Sequence, residues 1–292
     1  MASNISPRID LVFKKIFGVE ENKDLLIALI NSIVSEEDQV AEITLLNPYN
    51  TKNFLKEKGS ILDIKAKGLD GAYFNIEIQI TDEGDYDKRA LYYWAKLYTE
   101  QLEVGNEYRN LCKVIGIHIL NFFSIPDSAS YLNRFHVANS ETGIQYFKNL
   151  ELYTVELKKF EGLESKGLPE LMSKIKSALD MWVAFLTRHE LFNRKNLPSI
   201  PQKAQLDKAL NVLEVMNFTP DERDAYEGRL KWFRTEAGAL RLAEEKGIEK
   251  GRQEGKKLGI EKVVKNCLEA GMDDQSIAAI TGLTIDEIKI LR

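Results

Sequence analysis

Only two of the 292 residues are cysteine and only three are histidine. Cys112 and Cys267 stand far apart, which excludes a disulfide framework and a paired-thiol redox or metal motif and leads to the expectation of a reduced, cytoplasmic protein. His118, His136 and His189 show no zinc-ligand spacing. A phosphate-cradling glycine loop, a dinucleotide fingerprint and a serine or cysteine nucleophile motif are all missing. No apolar run reaches membrane-spanning length and residues 1–7 are polar, so neither a membrane contact nor a signal peptide is expected. Positive charge is not in excess either. With 40 Lys and Arg against 45 Asp and Glu the net charge is −5, so any nucleic-acid surface has to be local and aided by a bound metal.

What is present is a pair of segments that alternate apolar and polar residues with period two. Leu62-Asp63-Ile64-Lys65 is followed, beyond an Asp70-Gly71 turn signal, by Asn75-Ile76-Glu77-Ile78-Gln79. They read as a β-hairpin with one apolar and one polar face. A one-residue slip of register turns every side chain over, so the loop decides which residues meet. A two-residue Asp70-Gly71 loop sets Asp63 beside Ile78. A three-residue loop, Leu69-Asp70-Gly71 with Gly71 left-handed in a G1 bulge, sets Asp63 opposite Glu77 and leaves Leu62, Ile64 and Ala66 facing Ile78, Ile76 and Phe74. The hydrophobic match selects the second loop and predicts two adjacent carboxylates. Such a pair repels, and one member tends to stay protonated, unless a cation lies between them. A hard ion that keeps several waters, such as Mg2+, suits it. Lys65, diagonal to Glu77, and Gln79 could orient or polarise a water there. Solvated charge on an exposed hairpin is the other reading, and spacing alone does not separate the two.

Asp63, a hairpin and then Glu77-Ile78-Gln79 resemble the core of PD-(D/E)XK nucleases, in the variant whose final Lys is Gln. Four separated patterns resemble, in order, the bacterial recombination-promoting nuclease and transposase family: Asp10-Leu11-Val12-Phe13-Lys14-Lys15-Ile16-Phe17-Gly18, Leu62-Asp63-Ile64-Lys65, Ile76-Glu77-Ile78-Gln79, and Arg89-Ala90-Leu91-Tyr92-Tyr93-Trp94-Ala95-Lys96-Leu97-Tyr98. The likeness covers about the first half of the chain. It implies an α/β, restriction-endonuclease-like core with a mixed sheet flanked by helices, followed by an all-helical C-terminal region. It also implies a metal-dependent DNA endonuclease, with Asp63 and Glu77 as ligands of Mg2+ or Mn2+ and Gln79 in the water-positioning place. An amide carries no charge, so Lys65 is expected to bring the cation that the usual lysine supplies.

Along the chain, Ser6 as N-cap and Pro7 as first helical residue open a helix whose core stripe is Ile9, Val12, Phe13, Ile16 and Phe17, closed by Gly18. Asp10 and Lys14 lie on its other side; either approaches the hairpin's polar face, with Asp10 as an accessory acid, or they are an ordinary surface pair. A helix over 22–34 and a strand over 42–46 precede the hairpin. A helix over 85–103 turns Ala90, Leu91, Trp94, Leu97, Tyr98 and Leu102 to the core. Its Arg89, Tyr93 and Lys96 would touch phosphate oxygens in a nuclease, and form a solvated edge otherwise. Strands follow over 113–123, 131–137 and 151–157, with His118 as a hydrogen-bonded core residue.

Four regions are expected: a nuclease-like core over 1–160, helices over 161–243, a charged glycine repeat over 244–265 and a small helical unit over 266–292. Helices are read over 169–189 and 205–216 and from Thr219-Pro220-Asp221-Glu222 onward. Gly247, Gly251, Gly255 and Gly259 recur every four residues, and each interior helix glycine costs on the order of 1 kcal/mol relative to alanine, so a helix of low local stability is expected there, with a flexible charged connector as the alternative. Asp273 or Asp274, Gly282 and a Thr284/Glu287 capping box outline a helix-turn-helix-like end. Asp286 and Glu287 suit phosphate poorly, so packing or homo-oligomerisation through these helices stands beside DNA reading. Metal-assisted cleavage of DNA, in recombination or on mobile or foreign DNA, is the leading expectation. An inactive DNA-binding or oligomerising scaffold is the alternative; a transposase would also need strand joining, which no sequence feature demonstrates.

Overall fold

The computed structural model describes residues 5–49, 63–82, 84–194, 197, 200 and 202–291. Leu62, the first residue of the expected hairpin, lies outside them. The chain forms two compact units, Met1–Phe233 and Arg234–Arg292.

Among the described residues the first unit carries a six-stranded mixed sheet in the order β1-β2-β3-β4-β6-β5. The strands are β1 (Ile43–Leu45), β2 (Ile64–Gly68), β3 (Tyr73–Gln79), β4 (Val114–Leu120), β5 (Leu132–His136) and β6 (Leu150–Glu156). β3, β4 and β6 run parallel, and the remaining neighbours pair antiparallel. The β2–β3 loop is the three-residue one: the Gly71 N–H donates to the Gly68 carbonyl at 3.0 Å and the Gly68 N–H to the Ala72 carbonyl at 2.9 Å. Gly71 has φ +93°, the left-handed value that a G1 bulge requires. Ile64 pairs with Ile76 and Ala66 with Phe74, and the same register carried one residue further sets Asp63 across from Glu77.

Period two then divides the sheet. Ile64, Ala66, Phe74, Ile76, Ile78, Ile115, Ile117, Ile119, Tyr153 and Val155 join one buried core. Onto it pack α1 (Asp10–Phe17), through Val12, Phe13, Ile16 and Phe17, and α2 (Lys23–Ile33), through Leu25, Leu26, Leu29 and Ile30. On the other face lies α3 (Tyr86–Thr99), whose Tyr86 and Ala90 cluster with Leu120 and Phe122. α3 ends short of Leu102, and Leu91 is half exposed rather than buried, because the helix turns Tyr86, Ala90 and Leu97 to the sheet and Leu91 away from it.

Two helix boundaries differ from the sequence expectation. α1 begins at Asp10, not Pro7: the Ser6 N–H is tied to the Tyr226 hydroxyl at 3.1 Å, and the Asp10 carboxylate accepts the Leu11 N–H at 2.8 Å. The stretch 169–189 is two helices, α4 (Leu168–Lys174) and α5 (Ala178–Arg188). A capping box restarts the chain at Ser177, whose hydroxyl accepts the Asp180 N–H at 3.0 Å while Asp180 accepts the Ser177 N–H at 2.8 Å. α6 (Lys203–Glu214) and α7 (Pro220–Glu269) follow. Leu171, Trp182, Leu206, Leu213 and Tyr226 lie in the same core as the sheet, so the helices after residue 160 share it, and the division between compact units falls inside α7.

In the second unit α7 continues, and α8 (Asp274–Thr281) and α9 (Ile285–Ile290) bury Ile277 and Ile288 with Val264. Asp273 caps α8, Gly282 ends it at φ +74°, and Thr284 and Glu287 form the capping box of α9. The glycines at 247, 251, 255 and 259 are helical, with open space where a Cβ would stand. Among the described residues no helix is long and apolar enough to cross a membrane.

Two outcomes follow from this packing. Trp182 is fully buried, with ring centroids 5.4 Å from Phe17 and 6.0 Å from Phe185, so Trp182→Ala lowers the unfolding free energy by about 3–5 kcal/mol in urea titration. Replacing the four repeat glycines by alanine in the full chain adds on the order of 1 kcal/mol of helix stability per site, read as greater ellipticity at 222 nm on heating. A loss of helicity would show that the glycines serve a close contact.

Candidate active site

The polar side of the hairpin gathers under α3. Asp63 and Glu77 are both buried, at 7% and 8% exposure. Asn47, just past β1, holds the entry to β2: its amide donates to the Asp63 main-chain carbonyl at 3.2 Å and its oxygen accepts the Lys65 N–H at 2.7 Å. Arg89, on the first turn of α3, reaches down to β3. Its Nη2 donates to Glu77 Oε1 at 2.7 Å and to Gln79 Oε1 at 2.5 Å. Gln79 also donates from Nε2 to the Thr81 carbonyl at 3.2 Å.

Behind this cluster stands a second pair. Parallel pairing aligns Glu77 with His118 and His118 with Thr154, which carries the polar row across the sheet. The His118 Nδ1 lies 2.7 Å from the Tyr86 hydroxyl, which is 3.5 Å from Glu77 Oε2. The two rings meet edge-on at 5.6 Å, and the Arg89 guanidinium covers the Tyr86 ring at 5.1 Å. Gly116 makes room for the imidazole: a Cβ there would stand 2.8 Å from His118 Nε2 and 2.7 Å from Leu152 Cδ2.

Burial pushes the Glu77 carboxyl above its ordinary range; Arg89 pulls it down and the charge of Asp63 pushes it up further. Burial, and then the nearby Glu77 charge, raise the Tyr86 phenol well above its usual value. The Tyr93 phenol is raised by burial and by Glu77 and Asp63, which places it within the field of the same carboxylates. The His118 imidazole is lowered to about 4, by burial first and then by Arg89.

Of the residues singled out from sequence, Asp63, Glu77, Gln79 and Arg89 come together, with Tyr93 close by. Arg89 lies inside the cluster, bonded to Glu77 and Gln79, and not on the solvated edge that was one of its two readings. Lys65 and Lys96 both turn to Glu100, at 3.4 and 3.8 Å. Asp10 pairs with Arg229 of α7, and burial raises its carboxyl. Asn47 and Tyr86 escaped the sequence reading, and His118, buried and hydrogen-bonded as expected, was not linked there to the carboxylates. For Asn47 the signal was an Asn-Pro pair directly after a strand; for His118 it was a register with Glu77 that exists only once β3 and β4 pair.

Among the described residues no group of three or more His, Cys, Asp or Glu side chains is placed to hold a metal ion. Asp63 and Glu77 offer two hard oxygen ligands, and Mg2+ is commonly held by one or two carboxylates with water and substrate phosphate completing its shell. Glu77, pushed up by burial and further by the charge of Asp63, is short of positive charge, so this donor set fits a divalent cation.

His118 supplies a direct check on the burial of this row. Its folded pKa of about 4 lies below the unfolded value of 6.5, so its neutral form favours folding fully above pH 6.5 and that contribution is lost as pH falls towards 4. In NMR titration its ring resonances stay constant from pH 8 to pH 5; movement near pH 6.5 would place the ring in water.

The family model for PD-(D/E)XK nuclease family transposases matches residues 7–243. No curated protein and no solved structure matches the chain significantly. The family's name spells Pro-Asp and then Asp or Glu, any residue and Lys; here Leu62-Asp63 is followed by Glu77-Ile78-Gln79 on β3, with Leu in the proline place and Gln in the lysine place. A mixed sheet flanked by helices is the architecture that goes with this family, which carries a nuclease or transposase-related role with DNA as partner. The chain belongs to the PD-(D/E)XK nuclease family transposases.

Proposed function

We propose that the protein is a metal-dependent DNA endonuclease whose active site is the Asp63–Glu77 pair. The observation that supports this most is the hairpin register, which brings two carboxylates together in a buried position beneath a cationic helix turn. Asp63 and Glu77 would hold Mg2+ or Mn2+, which when bound makes water more acidic and offsets charge on the phosphate. Gln79, on the same face two residues beyond Glu77, would orient the attacking water through its amide. Tyr93, within the field of the pair, and Lys96, further along α3, would position the DNA backbone. The hydrolysis joins a water oxygen to phosphorus and breaks one phosphorus–oxygen ester bond; the water gives up a proton and the leaving sugar oxygen gains one. Substrates on mobile or foreign DNA, and a use in recombination, accord with the transposase relationship.

The test is plasmid cleavage with Mg2+ or with EDTA, by the intact protein and by Asp63→Ala and Glu77→Ala at matched circular dichroism. Outer-shell partners of a metal typically contribute 10–100-fold, so loss of a direct ligand should remove at least about a hundredfold of the activity. Cleavage that survives both substitutions would refute the site. DNA binding by a wild type that never cuts would leave an inactive scaffold as the function.

A further inference from the structure

We infer that Arg89 supplies the positive charge that the motif lacks at Gln79, acting as a catalytic residue of this site. The inference rests on the nuclease reading above and goes beyond it by naming the group that stabilises the reacting phosphate. Three observations carry it. Gln79 stands where the family's name requires a lysine, so β3 itself provides no cation. Lys65, the nearest lysine on the polar face, is engaged with Glu100 at 3.4 Å. Arg89 is bonded to the motif, its Nη2 lying 2.7 Å from Glu77 Oε1 and 2.5 Å from Gln79 Oε1.

Helix geometry delivers this charge from outside the sheet. Tyr86 and Arg89 are three residues apart on α3 and therefore share a face. The Tyr86 hydroxyl is anchored to the buried His118 at 2.7 Å, and the guanidinium lies over the Tyr86 ring at 5.1 Å, so the Arg89 head group is held from below and from the side. Tyr86 and His118 are positioning residues in this scheme. A guanidinium remains charged at any working pH and is delocalised over a planar fork, which suits it to spread phosphate charge without giving up a proton. As water adds to phosphorus and the ester bond breaks, negative charge grows on the phosphate oxygens; Arg89 offsets it and keeps all its protons. The same charge sits against Glu77, so Arg89 also opposes a divalent cation there. Removing it should weaken catalysis and tighten metal binding, two effects of opposite sign that a merely structural role would not produce.

The experiment compares the full-length wild type, Arg89→Gln, Arg89→Lys and the double variant Gln79→Lys/Arg89→Gln, each checked for folding by circular dichroism. Loss of one donor from such a site typically costs 10²–10³ in kcat, so Arg89→Gln should lose about a hundredfold or more in kcat with KM changed only a few-fold. Arg89→Lys, which keeps the charge, should retain more activity than Arg89→Gln. The double variant, with a cation restored on β3, should recover to within about tenfold of wild type. Mn2+ titration by calorimetry is the readout that does not need turnover: Arg89→Gln should bind Mn2+ about tenfold more tightly than wild type, on the scale of a Coulomb change of ~1.4 kcal/mol. Wild-type kcat in Arg89→Gln overturns the inference and leaves the nuclease reading standing, as does failure of the double variant to recover or Mn2+ affinity that is unchanged or weaker in Arg89→Gln. A wild type that neither binds Mn2+ nor cuts DNA overturns the nuclease reading and this inference with it.

Discussion

The apolar pairing of Ile64 with Ile76 and of Ala66 with Phe74 is the constraint on which the rest of the site depends. All four side chains are essentially removed from water, and full burial of an Ile or Phe side chain contributes ~1.5–3 kcal/mol. Two like charges about 4 Å apart repel by ~1 kcal/mol in water and ~4 kcal/mol at a typical protein dielectric. A one-residue slip of β2 would separate Asp63 from Glu77, but it would also turn Ile64 and Ala66 out of the core and away from Ile76 and Phe74. The hydrophobic face thus outweighs the repulsion, and the Leu69-Asp70-Gly71 loop, with its left-handed glycine, makes that register geometrically accessible.

Once the carboxylates are held together, their environment has to answer for the charge. The protein does so unevenly. On the hairpin and α3, Lys65 and Lys96 turn to Glu100, while Arg89 turns inward to Glu77 and Gln79. The Arg89 guanidinium does not fully offset the burial of Glu77, whose carboxyl remains shifted toward its protonated form. Under the proposed function that residual deficit would favour a metal ion, because a site fully neutralised by its own cations would have little to offer one. A net charge of −5 over the chain is compatible with this, since the relevant field is set within a few ångströms of β3 and is screened beyond about 10 Å.

Patterns of period two and 3.6 were legible wherever one face of an element meets the core. The hairpin, its loop, the β4 strand and the α1 and α2 stripes could be read this way, because burial writes alternation into the chain. Features that depend on a second element were not. Arg89 reads as a surface cation until α3 lies over β3, and His118 reads as a lone core histidine until parallel pairing sets it beside Glu77. Leu91 fits an apolar helical stripe, yet a single helix on a partly polar sheet face buries a narrower strip than a helix packed from two sides. Between 169 and 189 the apolar spacing runs on across Ser177, and the local capping box overrides it. Local hydrogen bonding decided the helix ends there and at Asp10; tertiary charge placement decided the site.

The glycine repeat shows the same competition with the opposite balance. Four interior glycines disfavour helix by on the order of 1 kcal/mol each, whereas exposed i, i+4 pairs such as Lys250 with Glu254 return ~0.3–0.5 kcal/mol. Among the described residues from Gly247 to Gly259 none belongs to a buried apolar core; Ile248 and Leu258 are both 65% exposed. The flanking structure is different in kind. On one side Tyr226 belongs to the large core of the sheet, and on the other Val264, Ile277 and Ile288 close a small core of their own with strong caps at Asp273 and Thr284. Local unfolding has its lowest cost where buried contacts are fewest, so the repeat is where α7 opens first, and opening there removes no residue from either core. Helix in this segment is thus maintained by continuity with its ends, and its lability leaves the carboxylate site intact because every side chain that builds that site lies before Cys112 or on β4.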